Sequence, residues 1–176
     1  MKFLKKLVRN IVVIALLVAV VFGFDAFSKS ALPKVEADGY QIKFGSIHGS
    51  DLIEAGFEIP FSQKFAAKTW DDGIALKKDG KTLAYLTMFN VGSESRDVEN
   101  CKVGELLINS ECDPVLTVNG EKLIGADRAT ACKVLDLEDN NEDSISKSRG
   151  DYGLYVLFYE DKVSSIKLTY DFGKSY

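Results

Sequence analysis

An α+β fold, with short helices packed on antiparallel sheet, is predicted by three features of the chain. From Tyr40 onward, apolar and polar residues alternate over short stretches, as half-buried strands require. Two short segments instead keep a single apolar side at helical spacing. Paired apolar runs are separated by turn residues, most clearly Asp79-Gly80. With 176 residues, 46% of them hydrophobic and 11% aromatic, the chain can build a core as one domain or two small ones.

Residues 1–28 stand outside this pattern. Lys2, Lys5, Lys6 and Arg9 precede an uninterrupted apolar run from Ile11 to Phe24. At ~1.5 Å rise per residue that run spans roughly 21 Å, short of a ~30 Å hydrocarbon core, which suits a signal peptide. Small residues at Ala26, Ser28 and Ser30 offer cleavage spacing. Leu4, Leu7 and Val8 on one side, and Ala26 and Phe27 on the other, extend the apolar face and suit an uncleaved anchor with snorkelling cations. Either way the positive flank stays in the cytoplasm and the remainder is exported. The expectation is a single-pass membrane protein with its C-terminal domain outside the cytoplasm, or a protein secreted after cleavage. No cysteine precedes Cys101, so a lipid-modified N-terminus is excluded.

The first 24 residues hold four basic and no acidic groups, leaving 18 basic against 26 acidic over residues 25–176. Such a surface repels phosphate backbones, so nucleic acid is not an expected partner. Nothing in the residue pattern calls for a cofactor or a metal.

Residues 29–38, with Pro33 and mixed small and charged residues, read as a linker. Tyr40, Ile42 and Phe44 then alternate as a strand, and Gly45 to Gly49 form a turn. Ser50 is the expected cap of a short helix carrying Leu52, Ile53 and Ala55, ended by Gly56. An apolar and aromatic loop, 57–72, leads to a hairpin turning at Asp79-Gly80. An offset of 80 residues repeats this order: Gly45 meets Gly125, Leu52 meets Cys132, Phe57 meets Leu137, and a second hairpin turns at Glu160-Asp161. The predicted organisation is therefore an anchor or signal over 1–28, a linker over 29–38, and two α+β repeats over 39–114 and 115–176.

The stretches "FGSIHGSDLIEAG" and "IGADRATACKVLD", each followed by a loop and a strand hairpin, carry a resemblance. In period and element order the chain, over about residues 40–172, resembles the β-lactamase inhibitor protein and the small lipoprotein of the outer-membrane β-barrel assembly machinery. The resemblance implies short helices on an antiparallel sheet and a role in protein binding rather than catalysis. The loop 57–72 departs from that pattern, and no binding residue is carried over.

Chemical sites are weighed against plainer readings. Gly45, Gly49 and Ser50 could form an anion nest, but the spacing matches neither a Walker nor a Rossmann loop, and a tight corner explains the glycines. His48 and its counterpart Arg128 are then expected at the surface. Cys101 and Cys112 are the candidate disulfide of an exported chain, with Cys132 a small buried hydrophobe. A thiol-dependent enzyme using Cys132 and His48 is the rival from another class, and a small-ligand site a third option. Asp139, Asn141 and Asp143 have EF-hand spacing, but Ser144 and Gly150 replace the required Gly and Glu, leaving a solvated loop. Phe61, Phe65 and Trp70 either fill the core or form a patch for a protein partner. The expected role is non-catalytic binding of a protein or of the cell envelope, with no catalytic residue named.

Overall fold

Two-residue turns with positive backbone φ organise residues 32–173, the part of the chain that the computed structural model describes. The anchor or signal expected over 1–28 lies outside the described residues, among which no helix is long and apolar enough to cross a membrane. The elements are β1 (Val35–Ala37), β2 (Tyr40–Ile42), α1 (Gly49–Glu54), β3 (Thr69–Lys78), β4 (Lys81–Asn90), β5 (Lys102–Asn109) and β6 (Thr117–Val118). They continue with α2 (Arg128–Leu135), β7 (Ser144–Arg149), β8 (Tyr152–Tyr159) and β9 (Lys162–Tyr170). A 3-10 turn, Val98–Asn100, precedes β5. The architecture is mostly antiparallel sheet with few helices.

The strands form a three-stranded sheet, β2-β1-β6, and a six-stranded sheet, β3-β4-β5-β9-β8-β7. Asp79 and Gly80 (φ 50° and 74°) close β3 on β4 with Lys78 opposite Lys81. That double positive φ matches the right-handed twist of the strands it joins. Glu160 and Asp161 do the same between β8 and β9 without a glycine (φ 50° and 58°).

The linker expected over 29–38 is corrected at its second half. Val35 and Ala37 are fully buried in β1, and Asp38-Gly39 turns the chain into β2 with Ala37 opposite Tyr40. The same Asp-Gly chemistry that marks the later hairpin is present here, set behind Pro33.

In the six-stranded sheet, the row Ile74, Leu86, Leu106, Leu168 and Leu154 runs across β3 to β8 on one face. Beside it run Ile108, Ile166, Val156 and Ile145. These residues join Val35, Ile42, Leu52, Leu123, Ala131 and Leu135 in one continuous buried cluster.

Two corners dock helices onto the central strands by matching backbone bonds. In the first, Gly45 N–H donates to Val103 C=O at 3.2 Å, Val103 N–H to Ile47 C=O at 3.0 Å, and Gly49 N–H to Cys101 C=O at 3.0 Å. In the second, Gly125 N–H donates to Val163 C=O at 2.8 Å, Val163 N–H to Ala126 C=O at 2.9 Å, and Arg128 N–H to Asp161 C=O at 2.9 Å. The offset of 80 sets β4 against β9, whereas these bonds give β5 and β9 the like roles. Gly45 is required at its corner: its φ is +74°, and a Cβ there would meet the Tyr170 ring at 2.6 Å.

The cap of α1 is His48 rather than the expected Ser50, because the helix starts at Gly49. The Asp51 carboxylate accepts the His48 backbone N–H at 2.7 Å, as in a capping box. At the other end Gly56 N–H donates to Ile53 C=O and Phe57 N–H to Leu52 C=O, with Gly56 at φ 85°, the paired bonds of a glycine-terminated helix. In α2, Leu137 N–H likewise reaches Cys132 C=O at 2.9 Å, with Asp136 at φ 53° in the position of Gly56.

Asp127 caps α2 by accepting from Thr130 N–H and from its hydroxyl, each at 2.8 Å. These bonds, the backbone one first, hold its carboxyl below the ordinary value of 3.8. A depressed folded pKa means that the stabilisation is present above pH 3.8 and is lost as pH falls through the lowered folded value. Asp127→Asn keeps a capping oxygen but removes this titration. Urea midpoints of the variant should therefore fall less steeply on acidification than those of wild type. Parallel curves would show that Asp127 has no linkage to folding.

Candidate interaction surface

Alternation along each strand sends every second side chain to the face of the large sheet opposite the core. Across it run Ala75, Tyr85, Leu107, Lys167, Tyr155 and Ser146, one register step from the leucine row. Here Tyr155 and Leu157 are exposed, and Tyr159 at the end of β8 is 71% exposed. Tyr85 and Leu107 are half-buried. Soluble surfaces scatter single apolar residues, but a run of tyrosines and leucines on neighbouring strands makes a patch.

Polar groups punctuate that face. Lys167 pairs with Glu105 at 2.8 Å, and Thr87 donates to the same carboxylate at 3.2 Å. Tyr85 donates to Glu111 at 3.3 Å, and desolvation, followed by the Glu111 charge, raises its phenol above the ordinary range. A shallow groove of about 320 Å³ lies among Asp72, Gly73, Tyr85, Thr87, Glu105 and Lys167. At the far corner Trp70, 56% exposed, lies beside Phe89, whose ring stacks with Phe172 at 5.2 Å. Gly104 makes room for this stack, since a Cβ there would meet the Phe89 ring at 2.3 Å.

The structure separates the three aromatic residues of the expected patch. Phe65 is buried in the core, Phe61 packs on it with a ring distance of 5.0 Å to Phe65, and Trp70 alone faces solvent from β3. Phe65 is drawn in by backbone bonds with Arg96 and by Asn90, whose buried amide donates to Phe65, Ala66 and Glu94 carbonyls. A polar residue at the end of an apolar strand was the sequence signal for this clamp.

The Cys101–Cys112 disulfide is also corrected. All three cysteines are free thiols, and Cys101 and Cys112 flank the two ends of β5. At ~3.3 Å per residue the strand holds them roughly 26 Å apart, far beyond disulfide reach. Burial, opposed by Arg96 and helped by Asp97, pushes the Cys101 thiol up to about 11. Burial also raises Cys112, which is only half-buried. Because the thiolate is the nucleophile, iodoacetamide at neutral pH should label Cys112 well before Cys101. Equal rates by mass spectrometry would mean that the head of β5 is open.

The thiol constellation does not assemble either. His48 bridges to Lys102 at the start of β5, and the α2 corner bridges at Asp127 to Lys162, at the start of β9. These neighbouring strands are antiparallel, with Asn109 opposite Ser165, so the corners sit at opposite ends of the pair. Counting from Lys102 to Asn109 and on from Ser165 to Lys162, that puts roughly 30 Å of strand between His48 and the corner that carries Cys132. Arg128, expected outside, has a mostly buried side chain with carboxylate partners on Asp139 and Asp161. The Asp139 carboxylate of the EF-hand-like spacing is taken by Arg128 and by Asn141 N–H. Among the described residues, no three His, Cys, Asp or Glu side chains converge as metal ligands.

No family model, curated protein or solved structure matches this chain.

Proposed function

We propose that the protein is a membrane-anchored extracytoplasmic module that binds another protein, without catalysis, through the open face of its six-stranded sheet. The observation that carries the reading is the exposed row around Tyr155, Leu157 and Tyr159, flanked by Tyr85 and Leu107. Aromatic residues of this kind supply the buried contacts of protein interfaces, and the polar groups around them suit a rim. The export expected from residues 1–28 and the resemblance to the β-lactamase inhibitor protein point to the same role.

The two halves are read as diverged copies of one unit: corner, short helix and three-stranded meander. The like bonds at Gly45 and Gly125, and the like helix ends at Phe57 and Leu137, support this. The offset of 80 serves for the corners and helices only. Val103 and Val163 play one role at an offset of 60, so loops of unequal length separate the copies.

The test places a photo-crosslinking residue at Tyr155, at Tyr159, or at exposed Lys133 on α2 in the full chain in cells. One adduct of the same discrete mass from both sheet positions, and none from Lys133, is the expected result. No adduct from the sheet, or equal adducts from Lys133, overturns the reading. Adducts should persist after alkylation of accessible thiols; their loss would favour the thiol-dependent alternative.

A further inference from the structure

The acidic loop 136–143 is fastened at its ends by two cationic side chains. Arg128 lies over the Phe158 ring, its guanidinium carbon 4.2 Å from the centroid. Its Nε donates to Asp161 at 3.0 Å, and one Nη donates to the Glu142 carbonyl at 2.8 Å and to Asp139 at 3.4 Å. At the other end Lys147, on β7, holds the Asp136 carboxylate at 3.0 Å. Between these fastenings the Asp139 carboxylate also accepts the Asn141 N–H, and the Asn140 side chain accepts the Glu142 N–H. Leu137 packs on the core, and a groove of about 560 Å³ lies between the loop and β7.

Backbone bonds pin the two ends, Leu137 N–H donating to Cys132 C=O at 2.9 Å and Phe158 N–H to Asp143 C=O at 2.7 Å. Asp136, Glu138, Asp139, Glu142 and Asp143 crowd like charges into this short segment, and the two cations offset them. The ion pairs are partly solvated: Asp139 is 38% and Asp161 83% exposed, which leaves them open to screening. Ile145 lines that groove and is buried. Buried Cys132, whose carbonyl accepts the Leu137 N–H, has its thiol raised by burial first, with the Asp139 charge adding and Arg128 opposing.

We propose that residues 136–143 form an ionic strap, closed by Arg128 and Lys147, which opens as a unit when those contacts are screened or competed away and uncovers Ile145 and Cys132. Opening is local, because the hydrogen-bonded ladder of β5, β9 and β8 does not run through the strap. The fold thereby carries a charge-responsive element on α2 and β7, separate from the open sheet face.

Hydrogen exchange and Cys132 alkylation on the full chain test this, at low salt and at about 1 M salt, where the screening length falls to about 3 Å. In wild type, high salt should speed Cys132 alkylation about tenfold and raise exchange at Leu137, Asn141, Glu142 and Phe158, while β5 and β9 stay protected. Arg128→Met and Lys147→Met should each show the fast rates already at low salt, and Lys147→Arg should restore the slow ones. Should Arg128→Met fail to fold, the lysine variants and the wild-type salt response decide alone. Rates that ignore salt and both substitutions overturn the strap. So does exchange that rises in step across β5 and β9, because that is global unfolding.

Discussion

Leu106→Ala is expected to destabilise the fold by about 2–5 kcal/mol, whereas Leu107→Ala, one residue on, should cost within about 1 kcal/mol. Leu106 is fully buried on central β5, between Leu86 of β4 and Leu168 of β9. Truncation there loses apolar burial and leaves a cavity that two paired strands cannot collapse to fill. Leu107 stands on the open face between Tyr85 and Lys167. Urea denaturation of both variants with unchanged m-values measures the difference. Equal costs would mean that both faces of β5 are covered, and the open-face reading would fail with them.

Gly49→Ala is expected to destabilise by about 1–3 kcal/mol, against the intrinsic preference of helices for alanine, worth about 1 kcal/mol the other way. A Cβ at Gly49 would meet the Val98 carbonyl oxygen at 2.5 Å and the Glu99 Cα at 3.1 Å. Both are backbone atoms of the 3-10 turn packed on α1, so neither yields by rotating a side chain. Thermal or urea unfolding gives the sign directly. A stabilised variant would show that α1 and the 3-10 turn do not approach this closely.

Local chemistry made part of the fold legible. Asp79-Gly80 specifies its hairpin because two adjacent residues must take positive φ, and Asp-Gly does so at low cost. Asp38-Gly39 carries the same signal, but the charged and proline-containing stretch before it masks β1. Leu52 and Cys132 were legible as buried because helical spacing puts them on the apolar side. The Cys101–Cys112 pairing failed because closeness in sequence was read as closeness in space, and an extended strand between the two is the case in which that inference fails.

The exposed row on the large sheet was legible only as alternation. Tyr155, Leu157 and Tyr159 share one strand parity, but whether that parity faces core or solvent depends on what packs against the sheet. The sequence by itself determined the two short helices, the tight turns at Asp79-Gly80 and Glu160-Asp161, and the two glycine corners, because each depends on the φ, spacing or polarity of a few adjacent residues. Only the tertiary structure decided that β5 pairs with β9, that Arg128 gathers Asp161, Asp139 and Phe158, and that Gly49 must stay bare beneath Val98. Those contacts join residues far apart along the chain, and their strength depends on geometry that no local pattern encodes.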